Sequence, residues 1–263
     1  MITADDIING VNRRISNPSP QGLVDNSDIL SFTDSIIQSE LIPLIESCAQ
    51  DFFVERIEIP LVGGQSAYSV PYRSVARGLR EIRYKESPTS TQLRNMPLIS
   101  IEHAYQYTSW QSVIGFHFEG DNIRVVPDVP ATLAGNPSLL CWYRLPPNKL
   151  VESTKVAKIV NVVGATVTVD NIPAGMNVNT LVDFCQGKSG SAIYAYDTPI
   201  NNIVGTTQIQ FAAVGDVPSQ LVAGDYISLS GESYVLNWIP NEAYPLVETL
   251  TCMRALQSIS DYD

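Results

Sequence analysis

His103 and His117 are the only imidazoles in this 263-residue chain, fourteen positions apart, with Glu102 and Glu119 next to them. A nucleophilic triad needs one imidazole held by a carboxylate beside an activated Ser or Cys. Neither histidine sits in a local signature of that kind. Two histidines and a carboxylate can hold zinc or iron, but this separation matches no compact ligand spacing. The sequence therefore reads them as a structural, hydrogen-bonding pair. Glu119, Asp121 and Asp128 invite a calcium interpretation, yet they lack the order of an EF-hand loop, and EGDN at 119–122 is an ordinary hairpin turn. GKSGS at 187–191 carries the GKS of a phosphate-binding loop but has Val182 where that loop needs glycine, and strand-like AIYAYD follows it. It is no nucleophile elbow either, because Ser191 stands at the required glycine. A tight turn between strands is the expectation. Paired carboxylates for glycoside hydrolysis meet only in three dimensions, and nothing in the spacing nominates a pair. The expectation is no catalytic residue, no cofactor and no metal ligand.

What remains is a cluster of cations. YSVPYRSVARGLREIRYK, residues 68–85, places Arg73, Arg77, Arg80, Arg83 and Lys85 within thirteen positions of a chain with 27 acidic and 16 basic residues. Residues 1–60 hold ten acidic and three basic side chains, whereas 73–102 hold six basic and three acidic. Such asymmetry is a clue to association rather than to fold. Guanidinium groups pair bidentately with carboxylates and are weakly hydrated, which suits contacts between subunits. Intrachain pairing with Glu81, Glu86 and Glu102 is the competing use.

A pI near 4.6 argues against broad nucleic-acid binding, which needs a basic face. The start, MITADDIING, lacks the basic and apolar regions of a secretory signal, and no apolar run is long enough to span a membrane. Cys48, Cys141, Cys185 and Cys252 are widely spaced and form no C-x-x-C, so four reduced, mostly buried thiols of a protein made in cytosol are expected.

The elements that must position these groups change along the chain. TADDIINGVNRRI reads as a short helix capped by Thr3, with acids at its start and arginines at its end. SDILSFTDSIIQSELIPLIESCAQDFF has apolar residues at three- and four-residue spacing, with Ser27 or Asp28 as cap and a kink or new start at Pro43. From residue 54 the texture is short alternating strands with turn signals, including a hairpin at Val163-Gly164 and a short helix or turn near Ile101–Tyr107. After Pro240 the chain turns helical again, with Tyr244, Val247, Leu250, Met253 or Arg254, and Leu256 or Ile259 on an apolar face. The expected fold is α+β: a helical bundle built from both chain ends with a large antiparallel β-rich insertion. The parts would be 1–57 helical, 58–150 β-rich, 151–235 a second hairpin-rich region, and 236–263 the helix completing the bundle. The β region could be one sandwich or two units divided at Pro146-Pro147.

YSVPYRSVARGLREIRY, followed by ISIEHAYQYTSW and GFHFEGDNIRVVPDV, forms one segment of a wider pattern. AGDYISLSGESYVLNWIPNEAYPLVETLTCMRALQSISD forms the other. With the N-terminal helical pair they resemble the head-to-tail adaptor (connector, neck ring) proteins of tailed bacteriophages. The two segments span roughly a third of the chain, and residues 150–222 match least well. The resemblance implies a ring of identical subunits, a dodecamer, between portal and tail or nozzle proteins. Genomic DNA would pass through its lumen without specific binding. It implies a helical bundle as the ring-forming unit, matched by roughly 27–52 and 240–260, and a virion location at the neck after synthesis in the host bacterial cytoplasm. It offers no catalytic residues and no membrane contact. Ring contacts are heterologous, so unlike faces must meet. Arg73, Arg77, Arg80, Arg83, Leu250, Met253 and Arg254 are the interface candidates. The alternative is a receptor- or carbohydrate-binding β-rich tail module, its sugar site lined from Tyr68, Tyr72, Tyr84, Tyr105, Tyr107, Trp110, Trp142 and Tyr143. A hydrolase with a spatially assembled site at His103 or His117 is a third.

Overall fold

The computed structural model describes residues 2–15, 24–71, 73–74, 79–104, 106–107, 109–110, 113–187 and 193–260. Helix α1 (Ala4–Arg14) starts where Thr3 accepts from the Asp6 N–H at 3.1 Å while the Asp6 carboxylate accepts from the Thr3 N–H at 2.9 Å. Helix α2 (Asn26–Ile36) is capped by Asp25, one turn before Asp28 closes the same reciprocal box. A π-helical turn, Ile37–Leu41, joins it to α3 (Ile42–Cys48). Pro43 cannot donate to the ladder, and the irregular turn just before it is how the chain absorbs that loss.

The chain folds as two compact units, one of residues 49–146 and one of residues 1–48 with 147–263. The 49–146 unit contains β1 (Val54–Pro60), β2 (Ala67–Ser69), β3 (Leu79–Lys85), β4 (Leu93–Asn95), the short helix α4 (Ile101–Ala104), β5 (Gly115–Glu119), β6 (Asn122–Val126) and β7 (Ser138–Arg144). One sheet has the order β1-β7-β3-β4 and the other β2-β6-β5. Alternation decides which side chains enter the core. Ile82 and Tyr84 pair across from Cys141 and Leu139, and with Tyr68, Phe116, Ile123 and Val125 they form one apolar cluster. Burial pushes the Cys141 thiol up to about 12.

The second unit adds β8 (Lys149–Leu150), β9 (Ala157–Val163), β10 (Thr166–Val169), β11 (Leu181–Cys185), β12 (Ile193–Pro199), β13 (Asn202–Val204), β14 (Gln208–Gln210), β15 (Tyr226–Leu229), β16 (Glu232–Ser233) and helix α5 (Tyr244–Ser260). Seven of these strands form an antiparallel sheet in the order β12-β11-β15-β9-β10-β14-β13. Gly164 turns the β9–β10 hairpin at φ +59°. The core of this sheet is Ile159, Val167, Val182, Phe184, Ile209, Phe211 and Ile227. Helix α5 packs on α1 and α2. A Cβ on Gly10 would sit 2.4 Å from the Glu248 carboxylate, so the glycine leaves room for the end of that side chain.

The expected α+β fold, a helical bundle from both chain ends with a β-rich insertion, does not hold. The chain is mostly β-sheet with short helices. The seven-stranded sheet shares one compact unit with the helices of both ends instead of being inserted between them. The physical reason is that residues 157–229 bury enough alternating apolar side chains to make a core of their own. Among the described residues, no helix is long and apolar enough to cross a membrane.

Candidate assembly surface

Of the arginine-rich segment, β3 contributes to one face of a sheet. Parity puts Glu81, Arg83 and Lys85 of β3 beside Trp142, Leu140 and Ser138 of β7, and these beside Arg56, Glu58 and Pro60 of β1. On that face Arg83 donates Nε and Nη2 to the two Glu81 oxygens at 2.7 and 3.0 Å, with its guanidinium 5.2 Å above the Trp142 ring. Lys85 reaches over β7 to Glu58 at 3.2 Å, and the Ser138 hydroxyl donates to the same Glu58 oxygen at 2.6 Å. The Ser138 hydrogen bond first, and then Lys85, hold Glu58 below the usual carboxylate range. Arg80 pairs with Asp51, and Arg94 lies 3.7 Å from Glu86. Arg73 is half-buried in the turn after β2. Arg77 lies outside the described residues. Arg80 and Arg83 thus have carboxylate partners within the chain. Glu81 and Glu86 are among the intrachain partners the sequence nominated, whereas Asp51 and Glu58 come from distant positions that local spacing does not reveal.

Helix α5 differs in kind. Val247, Glu248, Thr251, Cys252 and Ala255 are buried, the Thr251 hydroxyl lying 3.3 Å from that of Thr33 on α2. Glu248 is held by Arg14 of α1 at 2.9 Å. On the other side of the helix a second apolar line runs through Leu246, Leu250, Met253 and Leu256. Leu246, Met253 and Leu256 are 42%, 53% and 51% exposed, and Leu250 is half-buried. The expected apolar face mixes the two lines, because Val247 belongs to the core and Met253 and Leu256 do not. Arg254 is exposed and pairs with Glu40 at 3.8 Å. A surface helix ordinarily presents one apolar stripe, and a second at three- and four-residue spacing is the pattern of a helix with two partners.

Carboxylates elsewhere work inside the fold. Asp183, fully buried, accepts from Asn148 Nδ2 at 2.7 Å and from the backbone N–H groups of Asp197 and Gly231 at 3.0 and 3.2 Å. Asp225, also fully buried, accepts from the Gly187 and Val222 N–H groups at 2.8 Å each. A Cβ on Gly187 would collide with the Gly224 carbonyl at 1.9 Å, so this glycine of the GKSGS stretch serves a close backbone approach. The rest of that stretch lies outside the described residues. Asp34 on α2 accepts from the Leu150 N–H at 2.9 Å, and burial raises its carboxyl to about 6.

His103 is exposed on α4 and His117 is buried on β5. Glu119 and Asp128 of the supposed calcium triplet both bind Arg124, at 2.9 and 3.2 Å. Among the described residues no three His, Cys, Asp or Glu side chains are grouped to hold a metal ion. Of the aromatic set, Tyr68, Tyr84 and Tyr143 are buried, Trp110 packs against the core, and Trp142 underlies Arg83. Tyr107 is exposed, while Tyr72 and Tyr105 lie outside the described residues. The four cysteines are free, three buried and Cys48 exposed.

No family model matches. A search of curated proteins likewise returns no significant relative of this chain.

Proposed function

We propose that this chain is a structural virion protein, a head-to-tail adaptor that assembles with copies of itself between portal and tail and makes or breaks no covalent bond. The observation that carries the proposal is the second apolar stripe of α5, Leu246, Leu250, Met253 and Leu256, on the side opposite its buried face. Large apolar side chains aligned at helical spacing favour a packed partner over water. Arg80 and Arg83 pair within the chain, so the proposed subunit contact is helical and apolar, with the charged β3 face as a rigid, solvated surface. An acidic chain also suits a conduit, because phosphate that is repelled passes without sticking. The resemblance of the two segments to neck proteins supplies the portal, the tail or nozzle protein and the virion location.

Mixing the purified chain with a cognate portal protein and tail protein, and imaging the product, tests the proposal. A ring of this chain between the two is expected. A chain that stays monomeric in the presence of both partners contradicts it.

A further inference from the structure

The outer line of α5 is one half of a subunit contact, and neighbours in a ring meet through two different faces. Helix α3 has the properties of the other half. Upstream of it, α2 buries Ile29, Leu30, Thr33 and Ile36, and the π-helical turn buries Ile37 and Leu41. The same stripe runs on into α3 as Leu44, Ile45 and Cys48, three, four and seven positions after Leu41. Yet no residue of α3 is buried. Leu44 is 52% exposed, Cys48 is exposed and Ile45 is half-buried. The core-facing stripe outlasts the neighbours that cover it, which leaves the end of the helix with an apolar side open to water.

Charge selects what covers that side. Between Arg14 and Arg56 the chain carries seven acidic residues and no basic one, with Glu40 and Glu46 flanking the stripe in sequence. Acidic surroundings disfavour a second α3 and any acidic partner. The outer side of α5 is complementary. Among the described residues of α5 the one exposed charge is the Arg254 guanidinium, beside the apolar line of Leu250, Met253 and Leu256. Its 3.8 Å pair with Glu40 of its own chain joins two exposed groups and is worth little, so a neighbour's carboxylate can replace it. With seven residues α3 is about 10 Å long, which matches the span from Leu250 to Leu256.

We infer that α3 of one copy packs, through Leu44, Ile45 and Cys48, on the outer line of α5 of the next copy. Both faces belong to the same compact unit of each chain. One contact therefore leaves a free α5 at one end and a free α3 at the other, and contacts add until the series closes on itself. The inference rests on the adaptor reading, since the outer line of α5 is the contact proposed there.

Sedimentation velocity of Leu44→Asp, alone and mixed with Met253→Asp, tests it. Both side chains are exposed, so both variants should unfold at the parent midpoint. Each alone should be monomeric where the parent assembles. Their equimolar mixture should form a one-to-one pair and grow no further, because one variant keeps its α5 line and the other keeps its α3. A cross-link tests the contact without disturbing α3. Cys48 is exposed and the other three cysteines are buried. A short bismaleimide should join Cys48 of one copy to the thiol introduced by Met253→Cys in the next, giving a ladder of covalent multimers that is lost when Cys48→Ser is added. Leu44→Asp that assembles as the parent does, while Met253→Asp is monomeric, overturns the inference and leaves the α5 contact standing. So does a mixture that stays monomeric, or a cross-linked dimer that survives Cys48→Ser, which would place α5 against α5. Assembly of Met253→Asp, or a parent that is monomeric throughout, overturns the α5 contact and the inference with it.

Discussion

Residues 49–146 hold nine basic and nine acidic side chains, whereas residues 1–48 with 147–263 hold seven basic and eighteen acidic, so the net charge of −11 belongs to the second unit alone. The two units also place their carboxylates differently. In the neutral unit, Glu58, Glu81, Glu86, Glu119 and Asp128 sit at the surface against arginine or lysine. In the acidic unit, Asp183 and Asp225 are fully buried and bonded to N–H groups, and Asp34 is largely buried beside the Leu150 N–H. Part of the charge excess is therefore buried rather than solvated, while Asp6, Asp25, Asp28, Glu40, Asp170 and Glu242 remain exposed. Backbone N–H groups that would otherwise be orphaned in the interior are satisfied by carboxylates, and the charge is the cost of that acceptor. The neutral unit uses its charges to decorate a sheet that alternation has already built.

Asp183 is where the contrast between the units should show its largest effect. Asp183→Ala leaves Asn148, Asp197 and Gly231 without their shared acceptor and should cost roughly 3 kcal/mol or more in denaturant unfolding. A cost near that of an exposed substitution would show that these carboxylates are not internal supports.

Asp34 tests the same contrast through pH. Its carboxyl is raised from the ordinary 3.8 to about 6 chiefly by burial, opposed by the Leu150 N–H and by Lys149. Between those two values the folded state binds more protons than the unfolded state. Stability therefore falls as pH rises through that window, and the loss is complete above it. Asp34→Asn retains an oxygen for the Leu150 N–H and should stabilise the protein at neutral pH by roughly 1–3 kcal/mol, while removing this part of the pH slope. Thermal midpoints across the window measure both effects. A variant that is less stable at neutral pH, with the slope intact, would place the strain elsewhere.

The smallest effect belongs to the neutral unit. Arg83→Gln gives up an exposed ion pair with Glu81 and a contact with Trp142, and should shift the thermal midpoint by no more than about 2 °C. A larger loss would mean that the surface ladder supports the fold as the buried carboxylates do.

Local chemistry is legible in the sequence where the partners are neighbours along the chain. Thr3 caps α1 as its spacing implies, Pro43 interrupts the helix, Gly164 turns a hairpin, and a helical turn covers Ile101–Ala104. The cap of α2 is Asp25 rather than Ser27 or Asp28, because the acid three residues on, Asp28, completes a box with it and Ser27 hydrogen-bonds to Asp25 instead. The bundle expectation fails because helical periodicity at the two ends says nothing of what lies between them in space. The division at Pro146-Pro147 leaves the seven-stranded sheet with the helices. The two apolar lines of α5 cannot be separated by periodicity, which counts apolar residues on a helix but not which neighbours already cover them. The partners of Arg80 and Lys85, Asp51 and Glu58, are supplied by strand order.

Assembly through the outer line of α5 is the claim on which the proposed function stands, and sedimentation velocity of the full chain beside Met253→Asp puts it to the test. Met253 is exposed, so the variant should unfold at the parent midpoint. A concentration-dependent oligomer is expected for the parent and a monomer for the variant. A parent that stays monomeric throughout, or a variant that assembles as the parent does, would refute the claim.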